Sequence, residues 1–146
     1  MKTIIYFLSV LAVLLCTSPG LFSQVREIGD IRNGQPVITN ATNVALYFKS
    51  VYGPGTELNS SSIQWSKEHK SYFLVGVTSE GKASGLQLQS IANKLNAADG
   101  PKLEIFCRSD VNCHLCNLKD AVCECLDVNN DDGSCITMSN NVTSVW

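Results

Sequence analysis

Apolar residues recur at the spacing of an α-helix in one segment of the chain, residues 38–55, "ITNATNVALYFKSVYGPG". The positions that share a face are Ala41, Val44, Ala45, Phe48, and Val51 or Tyr52. Such a period is typical of a helix that is half buried. Thr39, Asn40 or Asn43 can cap its first turn, and Gly53-Pro54 is a stop signal. The pattern predicts one amphipathic helix.

The pattern after the helix predicts antiparallel strands. "SSIQWS" (residues 61–66) and "SYFLVGVT" (residues 71–78) flank the polar turn Lys67–Lys70, which predicts a hairpin. The second of these strands is apolar on both faces, so we expect it in the middle of a sheet. Residues 79–82, "SEGK", predict the next turn, and "PKLEIFC" (Pro101–Cys107) predicts a strand that runs into the first cysteine of the C-terminal cluster.

Two segments give weaker signals. "SGLQLQSIANKL" (residues 84–95) fits a helix through Leu88, Ile91 and Leu95, and a strand through Leu86, Leu88 and Ser90. Strand is favoured because the turns on either side are short. Residues 24–37 are predicted to form a loose arm, in which Asn33-Gly34 is a turn signal.

These elements predict an α+β fold, with one helix packed on an antiparallel β-meander and a disulfide-rich C-terminal tail. The corresponding division is a removed signal peptide at 1–23, a small α+β domain at 24–106 and a cysteine-rich extension at 107–146. Large apolar residues are sparse in the extension, so it cannot bury enough surface to offset chain entropy. We therefore expect covalent cross-links to hold it.

The N-terminus has the three regions of a secretory signal peptide. Lys2 precedes an apolar run from Ile4 to Leu15, and small or turn residues follow. As a helix the run would cover ~18 Å, which is shorter than the bilayer core of about 30 Å. The sequence therefore predicts export to the periplasm or the extracellular space, without a stable membrane span.

Removal of the leader changes both the cysteine count and the charge. Cys16 and Lys2 leave with it, so 7 cysteines become 6, and 11 basic against 13 acidic residues become 10 against 13. No basic cluster remains, which argues against nucleic acid as a partner. An even number of cysteines in an exported chain indicates a disulfide framework. Its members are Cys107, Cys113, Cys116, Cys123, Cys125 and Cys135.

The spacing leaves the connectivity of these cysteines open. It disfavours only a Cys123–Cys125 bridge, because a ring with one intervening residue strains disulfide geometry. Two other chemistries compete with disulfides. Zinc could bind the cluster, since Cys113-x-x-Cys116 has ligand spacing and Cys123-x-Cys125 follows. Cys113 and Cys116 also match the motif of a thiol–disulfide oxidoreductase.

Asp127, Asn129 and Asp131 stand at positions one, three and five of a calcium loop. The loop departs from that pattern because Asp132 stands where glycine is required and Met138 where glutamate is required. The stretch resembles the acidic repeats of dockerin and thrombospondin type 3 modules over fewer than ten residues. The competing interpretation is a solvated Asn/Asp-rich turn.

Catalytic patterns are absent from the sequence. Its two histidines, His69 and His114, fall in a polar turn and in the cysteine cluster, and neither has the setting of a catalytic triad. Trp65, Tyr72 and Phe73 face one another across the predicted hairpin, as packing pairs or as an exposed binding face. Glycosylation sequons begin at Asn40, Asn59 and Asn141.

The leader ending "FSQ", the strand "YFLVGV" and the tail "CRSDVNCHLC…CEC" resemble small cysteine-rich exported proteins of Gram-negative bacteria, whose function is unknown. That resemblance implies no site and no cofactor. The combined features predict a non-catalytic module that binds a protein or glycan partner. A metal-binding protein, with calcium or zinc, and a thiol–disulfide oxidoreductase are the alternatives.

Overall fold

The computed structural model describes residues 25–110, 112–126 and 133–143. The predicted signal peptide and the predicted calcium ligands Asp127, Asn129 and Asp131 lie outside these residues. The elements are β1 (Val25–Arg32), β2 (Gln35–Ile38), α1 (Ala41–Tyr52), β3 (Leu58–Ser66), β4 (Ser71–Thr78), β5 (Ala83–Ile91), β6 (Lys94–Ala98), β7 (Lys102–Ser109), β8 (Cys116–Lys119), β9 (Val122–Cys125) and β10 (Cys135–Val142).

The predicted α+β class is wrong. The described residues are mostly β, with 60% in strands and 11% in the helix, and the strands form a nearly closed, antiparallel, barrel-like sheet. The difference arises mainly at residues 24–37, which we expected to be a loose arm. Residues 25–38 form the hairpin β1–β2, and its turn is the predicted Asn33-Gly34, with φ of 51° and 76°. Its polar strands carry too few apolar residues to be recognised locally.

The sheet runs in the order β10-β7-β5-β6-β1-β2, and β4 pairs with both β5 and β3. The free edges of β2 and β3 approach each other, which nearly closes the barrel. The strand interpretation of residues 84–95 is correct for β5 and β6, which join through a turn at Ala92-Asn93. The predicted hairpin is β3–β4, and β4 lies inside the sheet as its two apolar faces require.

Strand β5 belongs to both parts of the sheet. Ala83–Leu86 pair with β7, and Ala83–Leu88 pair with β4. The last residues of β5, Gln89–Ile91, pair with β6 instead. The barrel wall and the β7–β10 wing therefore share one strand.

Helix α1 occupies the predicted segment. The Asn40 side chain caps it by accepting a hydrogen bond from the backbone N–H of Asn43 at 3.0 Å. Its buried face contributes Val44, Tyr47 and Phe48 to the barrel core. Phe48 lies directly against the backbone of β4, since a Cβ added at Gly76 would stand 2.2 Å from Phe48 Cζ.

The molecule has two apolar cores on opposite faces of β4. Leu74 and Leu86 face the helix core, with Ile28, Ile63 and Leu95. Phe73, Val75 and Val77 face a second core that includes Leu118 and all six bonded cysteines. Four of these are buried (Cys107, Cys113, Cys116 and Cys123), and two are partly buried (Cys125 and Cys135). The cysteine-rich segment thus covers a sheet face, and the predicted boundary at residue 106 falls inside β7.

Candidate functional site: the disulfide layer and an exposed aromatic groove

Three disulfides cross-link the cysteine-rich segment, and two of them tie it to the eight-stranded sheet. Cys107–Cys123 joins β7 to β9, Cys113–Cys125 joins the approach to β8 with β9, and Cys116–Cys135 joins β8 to β10. Their Cα–Cα distances, 5.4, 6.0 and 6.0 Å, lie in the usual range for such bridges. All six predicted cysteines are bonded, and Cys123 and Cys125 are not bonded to each other.

The sulfur atoms of Cys113, Cys125 and Cys135 lie within 4.8 Å of one another. Cys113 Sγ and Cys135 Sγ, which belong to different bridges, are 3.3 Å apart. Metals bind the thiolate form of cysteine, and each of these sulfurs is consumed in a bridge. In this oxidised state the cluster packs as apolar core and offers no ligands.

The disulfide connectivity bears directly on the predicted Cys113/Cys116 motif. A thiol–disulfide oxidoreductase cycles between a dithiol and a bridge within that motif. Here Cys113 is bonded to Cys125 and Cys116 to Cys135, and both cysteines are buried. The connectivity therefore gives the oxidoreductase interpretation no support.

The histidines lie apart from any catalytic arrangement in the described residues. The His69 ring packs against the Phe73 ring, with centroids 5.5 Å apart, and its backbone N–H donates to Ser66 Oγ. His114 lies at the surface of the segment before β8. Glu104 is engaged by Tyr47, whose hydroxyl donates to it at 2.5 Å. Burial, and then the Glu104 charge, raise the pKa of Tyr47 well above 10.0.

Trp65, which is exposed, and Tyr72, which is half-buried against the helix core, form an aromatic pair at the surface. They are direct cross-strand partners in β3 and β4, and their rings meet edge to face with centroids 4.9 Å apart. Trp65 is 46% exposed, whereas Phe73 is buried on the opposite face of β4. The sequence predicted Trp65 and Tyr72 as neighbours, but alternation separates Phe73 from them.

We call the cleft beside this pair the aromatic groove. It has a volume of about 440 Å³. Its lining residues are Trp65, Lys70, Ser71, Tyr72, Gln87, Leu88, Gln89, Ser90, Pro101 and Lys102. On the other side of the same two rings a second cleft, about 530 Å³, reaches Gln35 and Pro36 of β2. The aromatic pair is therefore a ridge between two open grooves.

The floor of the aromatic groove is held by internal hydrogen bonds. Gln87 Oε1 accepts from the backbone N–H of Leu103 at 2.9 Å, which fixes the orientation of its amide. Lys102 is buried, and its ammonium donates to the Gly100 carbonyl at 3.0 Å. Burial lowers the pKa of Lys102. None of the described lining residues is acidic.

A third cleft, of about 340 Å³, lies beyond the end of α1 and includes Glu80 and Lys82. These two side chains form an ion pair at 2.7 Å, so each charge already has a partner. The ion pair lowers the pKa of Glu80 and raises that of Lys82. Tyr52 lines this cleft but is half-buried, so the cleft has no ring as exposed as Trp65 of the aromatic groove.

In the part of the chain that the structure describes, no helix combines the length and the apolar character needed to cross a bilayer. Comparisons of this chain with family models, with curated proteins and with solved structures found no match.

Proposed function

We propose that this protein is an exported, non-catalytic module that binds a glycan through the aromatic groove. The observation that carries the proposal is the exposure of Trp65, supported edge to face by Tyr72 between two open clefts. A tryptophan left nearly half exposed on a rigid sheet gives up apolar burial that folding would otherwise favour. A bound ligand would recover that burial.

The groove chemistry favours a sugar over an apolar ligand. The faces of Trp and Tyr rings can stack on the C–H face of a pyranose. The hydroxyls of a pyranose need donors and acceptors at its rim, which Ser71, Gln89 and Ser90 can supply. Because the ridge is built on paired strands, little side-chain and backbone conformational freedom would be lost on binding.

The test is an array of oligosaccharides probed with the intact oxidised protein, followed by calorimetric titration of the best ligand. Trp65→Ala should weaken binding at least about tenfold, as expected for a central aromatic contact. Leu46→Ala is the matched control, because Leu46 is an exposed apolar residue on α1, 43% exposed. It should bind like the wild type.

Two results would overturn the proposal. One is the absence of glycan binding by a folded, fully oxidised protein. The other is glycan binding that Trp65→Ala leaves unchanged, which would move the site elsewhere. A third result is possible, in which the protein binds no glycan but binds a protein partner, and this binding depends on Trp65. It would support the aromatic groove as a binding site and reject a glycan as its ligand.

Metal binding is the second candidate function, and the proximity of Cys113, Cys125 and Cys135 favours it. It requires reduction of the bridges, since zinc takes thiolates. Elemental analysis with thiol titration, before and after reduction, tests it: stoichiometric zinc in protein that has free thiols would support this function over the first. Calcium binding at Asp127, Asn129 and Asp131 remains a sequence prediction, which the same analysis covers.

Export is part of the proposal, and the disulfides are compatible with it. An intact-mass spectrum of protein recovered outside the cytoplasm tests it. The expected mass lacks residues 1–23 and is lower by six hydrogen atoms, two for each disulfide, than that of the reduced chain. A mass that retains the leader, or six free thiols, would contradict export and oxidation respectively.

A further inference from the structure

The sheet has three edge strands among the described residues, and two of them face each other. The free edges of β2 and β3 approach where the barrel nearly closes, so each covers part of the other. Strand β2 is also short and contains Pro36, and β3 is irregular at Asn59. Both features hinder pairing with another chain. The third edge, β10, stands apart.

Strand β10 has none of these protections. All eight of its residues, Cys135–Val142, pair with β7 without a register shift, so the strand is regular along its length. Its sequence, CITMSNNV, contains no proline and no charged residue. In an antiparallel strand every second residue directs its N–H and C=O away from the neighbour already paired. The outer edge of β10 therefore presents a regular row of backbone donors and acceptors.

Two large apolar side chains lie on one face of this edge. Ile136 and Met138 are two residues apart, so they share a face, and they are 46% and 41% exposed. The opposite face of β10 is engaged by the disulfide layer, where Thr137 Oγ1 accepts from the backbone N–H of Cys123. Apolar exposure next to an open ladder is the combination that natural edges normally avoid.

We propose that β10 is a self-association edge, which pairs antiparallel with β10 of a second copy of this chain. A two-fold axis perpendicular to the sheet presents the same edge from both copies and closes the assembly at two. Because β10 carries no charge, self-pairing places no like charges opposite each other. A charged peptide would find no complementary group on the strand.

The apolar pair selects a register. Antiparallel residues that stand opposite each other direct their side chains to the same face. With the axis at Thr137, Ile136 of one copy stands opposite Met138 of the other, and the pairing occurs twice. Both exposed side chains of each copy then become cross-strand contacts, and the β7–β10 wings of the two copies form one continuous sheet.

The test compares the association of three proteins made in a bacterial periplasm, where disulfides form and Asn141 receives no N-glycan. They are the wild type, the double variant Ile136→Lys/Met138→Lys and Leu46→Lys. Leu46 is the matched control because it is equally exposed but lies on α1. Sedimentation velocity should show wild type and Leu46→Lys shifting from monomer to dimer over roughly a hundredfold rise in concentration, by mass action. The double variant should stay monomeric.

Three outcomes would overturn the proposal: a wild type that is monomeric throughout, a double variant that still dimerises, and a Leu46→Lys variant that loses dimerisation equally. Lysine at two exposed positions should leave the monomer folded. Near-ultraviolet circular dichroism of the double variant checks this, and a variant that fails the check is replaced by Met138→Lys alone, judged by the same outcomes. Trp65 lies on β3, away from β10, so the proposed glycan binding does not depend on whether β10 mediates dimerisation.

Discussion

Leu118 of β8 occupies the space above Gly85 of β5. A Cβ added at Gly85 would lie 2.4 Å from Leu118 Cδ2, and Leu118 is fully buried. Gly76 on the neighbouring strand β4 makes the same kind of room on the opposite face, for Phe48. In each core, therefore, one glycine of the sheet leaves room for a large side chain to pack directly on the strand backbone.

Gly85→Ala should lower the free energy of unfolding by about 1–3 kcal/mol, the usual cost of overpacking a close contact. Gly76→Ala should do the same, because the buried Phe48 ring cannot move away. Gly55→Ala is the control, since a Cβ there has no neighbour within 4 Å. Urea unfolding of the three variants checks whether Gly55→Ala is more stable than the other two. Equal stability of all three would show that the contacts are loose.

Removal of the Cys107–Cys123 bridge should destabilise the fold strongly. The bridge spans 16 residues and joins β7 to β9. A loop of that length is worth about 3 kcal/mol in the chain-entropy model. The variant Cys107→Ala/Cys123→Ala should therefore unfold at lower urea concentration without any reductant. A midpoint equal to that of the wild type would mean that packing of Leu118 alone holds the segment on the sheet.

Stability should fall in alkaline solution because of Tyr47. Its pKa is raised well above 10.0 in the fold, by burial first and by Glu104 second. The neutral hydroxyl is therefore favoured in the folded state, and its contribution is complete below pH 10. Above that pH the unfolded chain loses its proton first, so the free energy of unfolding falls by about 1.4 kcal/mol per pH unit.

The free energy of unfolding is measured for the wild type and for Tyr47→Phe from pH 9 upwards. The contributions of other groups that titrate in this range cancel in the difference between the two proteins. Tyr47→Phe should show a shallower fall. Glu104→Gln should keep most of the fall, since burial is the larger cause. Parallel curves for wild type and Tyr47→Phe would mean that Tyr47 ionises freely in the folded protein.

Substitution of Ala92 in the β5–β6 turn should raise the stability of the fold. Ala92 has φ of 48°, in the left-handed region that costs an L-residue roughly 1 kcal/mol. Ala92→Gly removes that cost, although glycine adds entropy to the unfolded chain. Ala92→Asn should therefore give the larger gain, since asparagine tolerates this region. Thermal unfolding measures both, and a loss of stability for Ala92→Asn would contradict the expectation.

The elements with strong local signals could be predicted from the sequence. The 3.6-residue period, the Asn40 cap and Gly53 define α1, and the two apolar faces of β4 place it inside the sheet. β1 and β2 were missed because β1 pairs with β6, far along the chain, and β2 pairs with β1, so these contacts stabilise the hairpin more than its own residues do. Barrel closure is likewise a non-local property.

The sequence likewise predicts some features of the candidate site and not others. Six bonded cysteines follow from the sequence, but the connectivity depends on where β7, β9 and β10 lie in space. The exposure of Trp65 could not be derived either, since alternation assigns Trp65 and Tyr72 to one face without showing where the core ends. Available clues were Gly76 and Gly85, because glycine inside an apolar strand often marks close approach of another element.

Because β5 pairs with β4, β6 and β7, neither core can be exposed to water while the other stays intact. The backbone amides of β5 should then exchange with deuterium only through whole-molecule unfolding, even though the two cores lie on opposite faces. Within the described residues, neither core forms a separate unit that a protease could remove while the other stays folded. Digestion of this part of the chain should therefore be all or none.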